Sequence, residues 1–148
     1  MARPLEKKQW TATASVPDST TPVNGTKIPI DISAANALDG DHWTGWRDMT
    51  ELQRPGQWFQ VDMQRDEHFT KVVLDNTWAL WDSPETYAIA VSKDGTTWSD
   101  PIATGQGKLG ITTITFPEQT ARYLRITQIG TSAKYHWSIY ELDVFADR

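Results

Sequence analysis

The side chains best placed to do chemistry lie in Asn36-Ala-Leu-Asp-Gly-Asp-His-Trp-Thr-Gly-Trp46. Asp39, Asp41 and the Thr44 hydroxyl are hard oxygen donors, and Gly40 permits a sharp turn that aims main-chain carbonyls inward, as an oxygen-liganded cation such as calcium requires. The spacing departs from an EF-hand, which needs donors at alternate positions and a closing glutamate. On these residues alone two readings stand: a metal-stapled loop, or an Asx-type turn in which Asp39 bonds its own backbone.

The second feature is eight tryptophans in 148 residues. Indole offers a broad apolar face and a single N–H donor, so it serves both cores and surfaces that stack on sugar rings. Trp78 and Trp81 fall in an otherwise polar stretch beside Asp75, Asn76 and Asp82, which makes them the first choice for ring stacking, the alternative being that one caps the core. A further aromatic cluster, Lys134-Tyr-His-Trp137, lies near the C-terminus.

The elements that must position these residues read as short strands. From Gln57 the period is two, with Phe59, Val61 and Met63 on one face and Trp58, Gln60 and Asp62 on the other. Phe69 to Asn76 is a second strand, its Val72-Val73-Leu74 run suggesting burial on both faces. Tyr87, Ile89 and Val91 alternate into Asp94-Gly95, a hairpin signal; Ile111–Phe116, Arg122–Ile129 and Ile139–Phe145 follow. Pro17–Pro29 reads as a long loop. No sustained helical period occurs, so the expected class is an all-β sandwich.

Several classes are disfavoured. A net charge of −5 with scattered Lys and Arg argues against nucleic acid and against anionic membranes. Cysteine is absent, which removes disulfides and thiolate metal sites. No run approaches the length of a membrane span. The three histidines, at 42, 68 and 136, are far apart, and no nucleophile elbow or zinc helix motif occurs, so no catalytic residues are assigned.

Ala37-Leu-Asp-Gly-Asp with Thr44 and Trp46, Pro55-Gly-Gln-Trp-Phe-Gln-Val-Asp62, Tyr87 to Trp98, Ala121-Arg-Tyr-Leu-Arg-Ile126 and Trp137-Ser-Ile-Tyr-Glu141 occur in that order over nearly the whole chain. Together they resemble the discoidin or coagulation factor C-type domains, most closely the family 32 carbohydrate-binding modules of secreted bacterial glycan-degrading enzymes, which are also similar to the N-terminal domain of galactose oxidase. The resemblance implies a jelly-roll sandwich over residues 9–148, after a disordered terminus or remnant at 1–8. It implies a structural calcium, or sodium in its place, on the Asp39 and Glu141 carboxylates, the Thr44 hydroxyl and carbonyl, and the carbonyls of Asn36, Asp41 and Tyr140; the alternative is that Glu141 pairs with an arginine such as Arg125.

The same resemblance places sugar binding in loops at one end. It assigns Trp46, Trp58 and Trp98 mainly to the core, and Tyr135, His136 or Trp137 to the ligand. Arg47 stands where galactose-binding members carry His, which weakens terminal galactose and suggests a guanidinium on sugar hydroxyls, or a surface ion pair with Asp48 or Glu51. The function expected is a non-catalytic, monomeric module of a secreted, multidomain bacterial enzyme that binds polysaccharide or oligosaccharide. An α- or β-1,3-glucan is the first expectation and chitosan is compatible. Protein or lipid adhesion is the alternative.

Overall fold

The computed structural model describes residues 2–22 and 25–147. Its strands in chain order are β1 (Arg3–Pro4), β2 (Thr11–Ala14), β3 (Thr20–Pro22), β4 (Pro29–Asp31), β5 (Trp46–Asp48), β6 (Trp58–Asp75), β7 (Tyr87–Ser92), β8 (Ala103–Gly105), β9 (Ile111–Gln128), β10 (Trp137–Ile139) and β11 (Glu141–Ala146). The only helical pieces among the described residues are short 3-10 turns at Ala34–Leu38 and Leu80–Asp82. The chain is all-β, as expected.

Architecture follows from β6 and β9, each 18 residues long and paired antiparallel. Their register breaks between Asp62 and Glu67 and again between Phe69 and Lys71, and Gln64 takes a left-handed backbone with φ 69°. The sheet bends there and closes on itself, since bulges increase twist and redirect strands. Before the bend β6 pairs with β2, and beyond it with β11; β7 pairs with the second half of β9. The result is a curled, jelly-roll sandwich. The two segments read separately in sequence on either side of residue 65 are thus one bent strand, as are those at 111–116 and 122–129.

Inward positions alternate as the period of two requires. Phe59, Val61, Met63, Val72, Leu74, Ile89, Ile114, Leu124, Ile126, Leu142 and Val144 are buried in one core. Val73 is half-buried, so the Val72–Leu74 run is covered on one face only, contrary to the two-sided expectation. The Pro17–Pro29 stretch is shorter as a loop than expected, because β3 and β4 form a small ribbon within it.

Residues 2–8 are ordered where a disordered terminus over 1–8 is expected, and Met1 lies outside the described residues. Arg3 and Pro4 pair with Ala146 and Phe145, Leu5 is buried, and Lys7 reaches Glu141. Polar composition suggested fraying, but pairing to the last strand and an ion pair hold the segment. At the bend Arg122 donates to Asp62 from Nε at 2.8 Å and from Nη2 at 3.0 Å. This holds the Asp62 carboxyl below its ordinary 3.8. Because the folded value is depressed, the contribution is intact above the unfolded value and is lost as pH falls through the folded one. Melting temperatures of the wild type and Asp62→Asn should therefore differ most near neutral pH and converge as pH falls through the depressed Asp62 value.

Candidate functional site

Asp75 ends β6 and faces Glu141 in the register, so the loop after β6, the acidic loop before β5 and the loop before β10 meet at one end of the sandwich. The β5–β10 ribbon fixes the latter two, pairing Trp46 with Ile139, Arg47 with Ser138 and Asp48 with Trp137. Trp46 and Trp137 point into the core, 1% and 0% exposed, with ring centroids 4.9 Å apart at 88°. Trp137 is therefore a core residue and no ligand contact: it lies on a strand whose every residue is buried.

Asn76 is corrected in the same way. It is fully buried, and its Nδ2 donates to the Ser138 carbonyl at 2.8 Å and hydroxyl at 3.0 Å, locking the loop after β6 to β10. Asp75 accepts from the Thr77 N–H and hydroxyl and from His42, whose Nδ1 lies 2.8 Å away, so its carboxylate orders two loops. The His136 ring nitrogen Nδ1 lies 3.0 Å from the Asp48 carbonyl and 2.9 Å from that of Glu51, tying the last loop to residues 48–51.

The other aromatic residues singled out in the sequence form two exposed ring stacks, one of them with Trp43, which sequence reasoning left out. Trp43, 72% exposed, stacks on Trp78, with centroids 4.1 Å apart and 21° between planes. Trp81 stacks on Tyr135 at 5.5 Å and 14°. Trp43 sits inside the acidic motif, where metal-ligand spacing masked it; its missing signal was a large apolar residue in a run with no alternating partner. Trp58 and Trp98 leave the core instead: they lie on the outer sheet face, 4.7 Å and 4.4 Å from the Arg125 guanidinium, which also donates to Gln60.

Arg47 lines a depression with Trp43 and pairs with Asp82, the residue after Trp81. Its Nη2 lies 3.4 Å from Asp82 Oδ2, and not against Asp48 or Glu51. Arg47 Nε is buried with no hydrogen-bond partner. Burial pushes the Asp82 carboxyl above its ordinary value, opposed by Arg47. Arg47 therefore sets a partly exposed guanidinium near flat apolar rings, with Asp82 already supplying its anion.

In the acidic loop the Asx-turn reading is what the hydrogen bonds show. Asp39 Oδ1 accepts from the Asp41 N–H at 2.8 Å, and Asp41 Oδ1 from the Trp43 N–H at 2.9 Å, which are Asx turns. Thr44 Oγ1 lies against Asp39 Oδ2 and 3.1 Å from the Asp41 carbonyl, while the Gly40 N–H donates to both Glu141 oxygens at 3.2 Å. Tyr140 is close behind, its ring and Cα within 3.0 Å of where a Gly45 Cβ would stand, so only glycine fits there. Asn36 Nδ2 donates to the Asp31 carbonyl at 2.9 Å. Glu141 is 1% exposed, its carboxyl pushed up by burial and countered by Lys7, which also reaches Asp143 at 2.8 Å; Arg125 takes no part. No group of three or more His, Cys, Asp or Glu placed to hold a metal occurs among the described residues.

The sequence matches the F5/8 type C domain family over residues 11–142. Comparison with curated proteins returns no match. Among solved structures, the family 32 carbohydrate-binding module from C. perfringens NanJ, in complex with galactose, superposes with a TM-score of 0.78 at 20% identity, covering 99% of this chain and 100% of that one. Chitosan-binding module 1 from a chitosanase/glucanase of Paenibacillus sp. IK-5 is 28% identical, with a TM-score of 0.67 and 92% and 94% coverage. The family 32 module of AlyQ, in complex with 4,5-unsaturated mannuronic acid, is 23% identical, with a TM-score of 0.70 and 97% and 98% coverage.

Trp137→Ala should cost about 3–5 kcal/mol in urea unfolding, as a large core truncation does. Trp78→Ala should cost only about 1 kcal/mol, the value of an exposed stacked pair. With its matched residues spanning the strands and loops just described, the chain belongs to the F5/8 type C, or discoidin, domain family.

Proposed function

We propose that this domain is a non-catalytic carbohydrate-binding module that attaches a secreted, glycan-degrading enzyme to its polysaccharide. The carrying observation is the pair of exposed aromatic stacks, Trp43 on Trp78 and Trp81 on Tyr135, on either side of Arg47. Sugar rings present C–H faces that bury against such surfaces, while the Nη end of the partly exposed Arg47 side chain donates to hydroxyl oxygens. The ligands of similar modules support the class: galactose for the NanJ module, chitosan for the Paenibacillus one.

We take a neutral glycan as the ligand, with a 1,3-linked glucan, α or β, as the first candidate. The carboxylates that would attract a cationic polymer are committed, Asp75 to Thr77 and His42 and Asp82 to Arg47. One stacked ring contributes about 1 kcal/mol beyond area burial, so a single module binds weakly and retention on an insoluble chain comes from avidity with sister modules. Exposed Leu80 and Leu109 near the tryptophans are what an adhesion surface for lipid or protein would use, and liposome sedimentation discriminates that reading.

The acidic loop's role is structural. Its donors are hard oxygens only, two carboxylates with a hydroxyl and carbonyls, which fits calcium or sodium. Asp39, Thr44 and Glu141, with the carbonyls of Asn36, Asp41, Thr44 and Tyr140, would hold it, and the ion would cross-link the loop to β11. Exhaustive chelation should lower the melting temperature by about 5 °C or more, restored by added calcium. A melting temperature indifferent to both would leave the Lys7 ammonium as the only cation serving Glu141.

The first experiment is a pull-down against insoluble α-1,3-glucan, β-1,3-glucan, chitin, chitosan and galactan, beside Trp78→Ala/Trp81→Ala. Retention on a glucan that the variant loses is the expected outcome. Retention on none, with sedimentation on liposomes, would replace this reading by adhesion.

A further inference from the structure

The two stacks border separate depressions. One, of about 300 Å³, is lined by Trp43, Arg47, Asn36 and Asp31. The other, of about 290 Å³, lies between Trp81, Tyr135, Glu85 and Gln106. Arg47 lines the first, and its ion pair with Asp82 reaches the residue next to Trp81, so a single polar bridge joins them. A terminal sugar that fills one depression leaves the other aromatic pair in water.

Both pairs are also ordered before any ligand arrives. Each ring is held by its stacked neighbour while Trp43, Trp78 and Trp81 stay 72%, 53% and 56% exposed, so contact area is presented with little rotamer entropy left to lose. A surface with two pre-ordered platforms and a donor between them matches a ligand with ring faces repeated along its length.

We propose that the module binds an internal segment of a linear polysaccharide, laid from the Trp43–Trp78 stack across Arg47 to the Trp81–Tyr135 stack, and does not cap a chain end. This rests on the carbohydrate reading and adds the mode of binding. Trp43 and Tyr135 mark the two limits of the path. Arg47 meets hydroxyls of the residue between them.

The test is calorimetric titration with oligosaccharides from disaccharide to octasaccharide in the β-1,3-glucan, α-1,3-glucan and chitosan series, with galactose as the end-on reference. In whichever series binds, affinity should rise about tenfold or more between disaccharide and hexasaccharide. A hexasaccharide methylated at its non-reducing end should bind as well as the free one. Trp43→Ala and Tyr135→Ala, checked for unchanged melting, should each remove most of the length-dependent gain. Affinity that is flat with length, or abolished by end methylation, overturns the internal mode while leaving carbohydrate binding intact. No binding in any series or to galactose overturns the carbohydrate reading, and the mode with it.

Discussion

The binding end of this domain depends on the burial of two indoles on a ribbon only three residues wide. Trp46 and Trp137 pack edge to face with each other, and Trp46 also meets Phe59 at 5.0 Å. A two-stranded ribbon is marginal alone in water. Here its side chains are rooted in the sandwich core, and the residues between and beside them, Arg47, Asp48, Tyr135 and His136, inherit fixed positions. The main-chain and side-chain bonds that follow, Asn76 to Ser138, Gln53 Nε2 to the carbonyls of Ser83 and His136, and His136 to Asp48, then tie four loops into one block.

Polar burial at this end follows the same logic. Gln53 and Gln128 are 1% and 0% exposed, and each spends its amide on neighbouring loops: Gln128 Nε2 donates to Gln53 Oε1 at 2.7 Å, and Gln53 Oε1 also accepts from the Glu85 N–H at 2.8 Å. Loops without regular pairing need such partners, because an unpaired buried amide costs more than the bond contributes. Two amides thus replace the ladder that the strands lack beyond their ends. Rigidity of the loops comes from this network, and the exposed rings above it come pre-set.

Much of this was legible in the sequence, and the failures have identifiable physics. Period-two alternation at Phe59–Met63 and Tyr87–Val91 reported the core directly, and the motif order reported the family. What alternation cannot report is direction at a strand's end. Trp137 and Asn76 sit next to loops and look like loop residues, yet one closes the core and the other anchors a hinge. Trp43 is the converse, an exposed ring inside a motif whose polar residues drew the assignment to metal binding. The family resemblance puts Trp58 and Trp98 mainly in the core through their framework motifs, whereas a guanidinium between them makes the outer face of the sheet a stable place for both. Continuity of β6 and β9 across their bends was hidden because bulge residues are polar and read as connections.

The pairing of β1 with β11 has a geometric consequence. Arg3 and Ala146 are partners at one end of β11, and Glu141, at its other end, belongs to the loop block. Six strand residues rise about 20 Å. Both ends of the described chain therefore meet at one spot on the pole opposite the tryptophans, like a lamp on a single stem. Arg3 and Ala146 thus stand side by side, a strand's length from the loop block that carries the aromatic stacks.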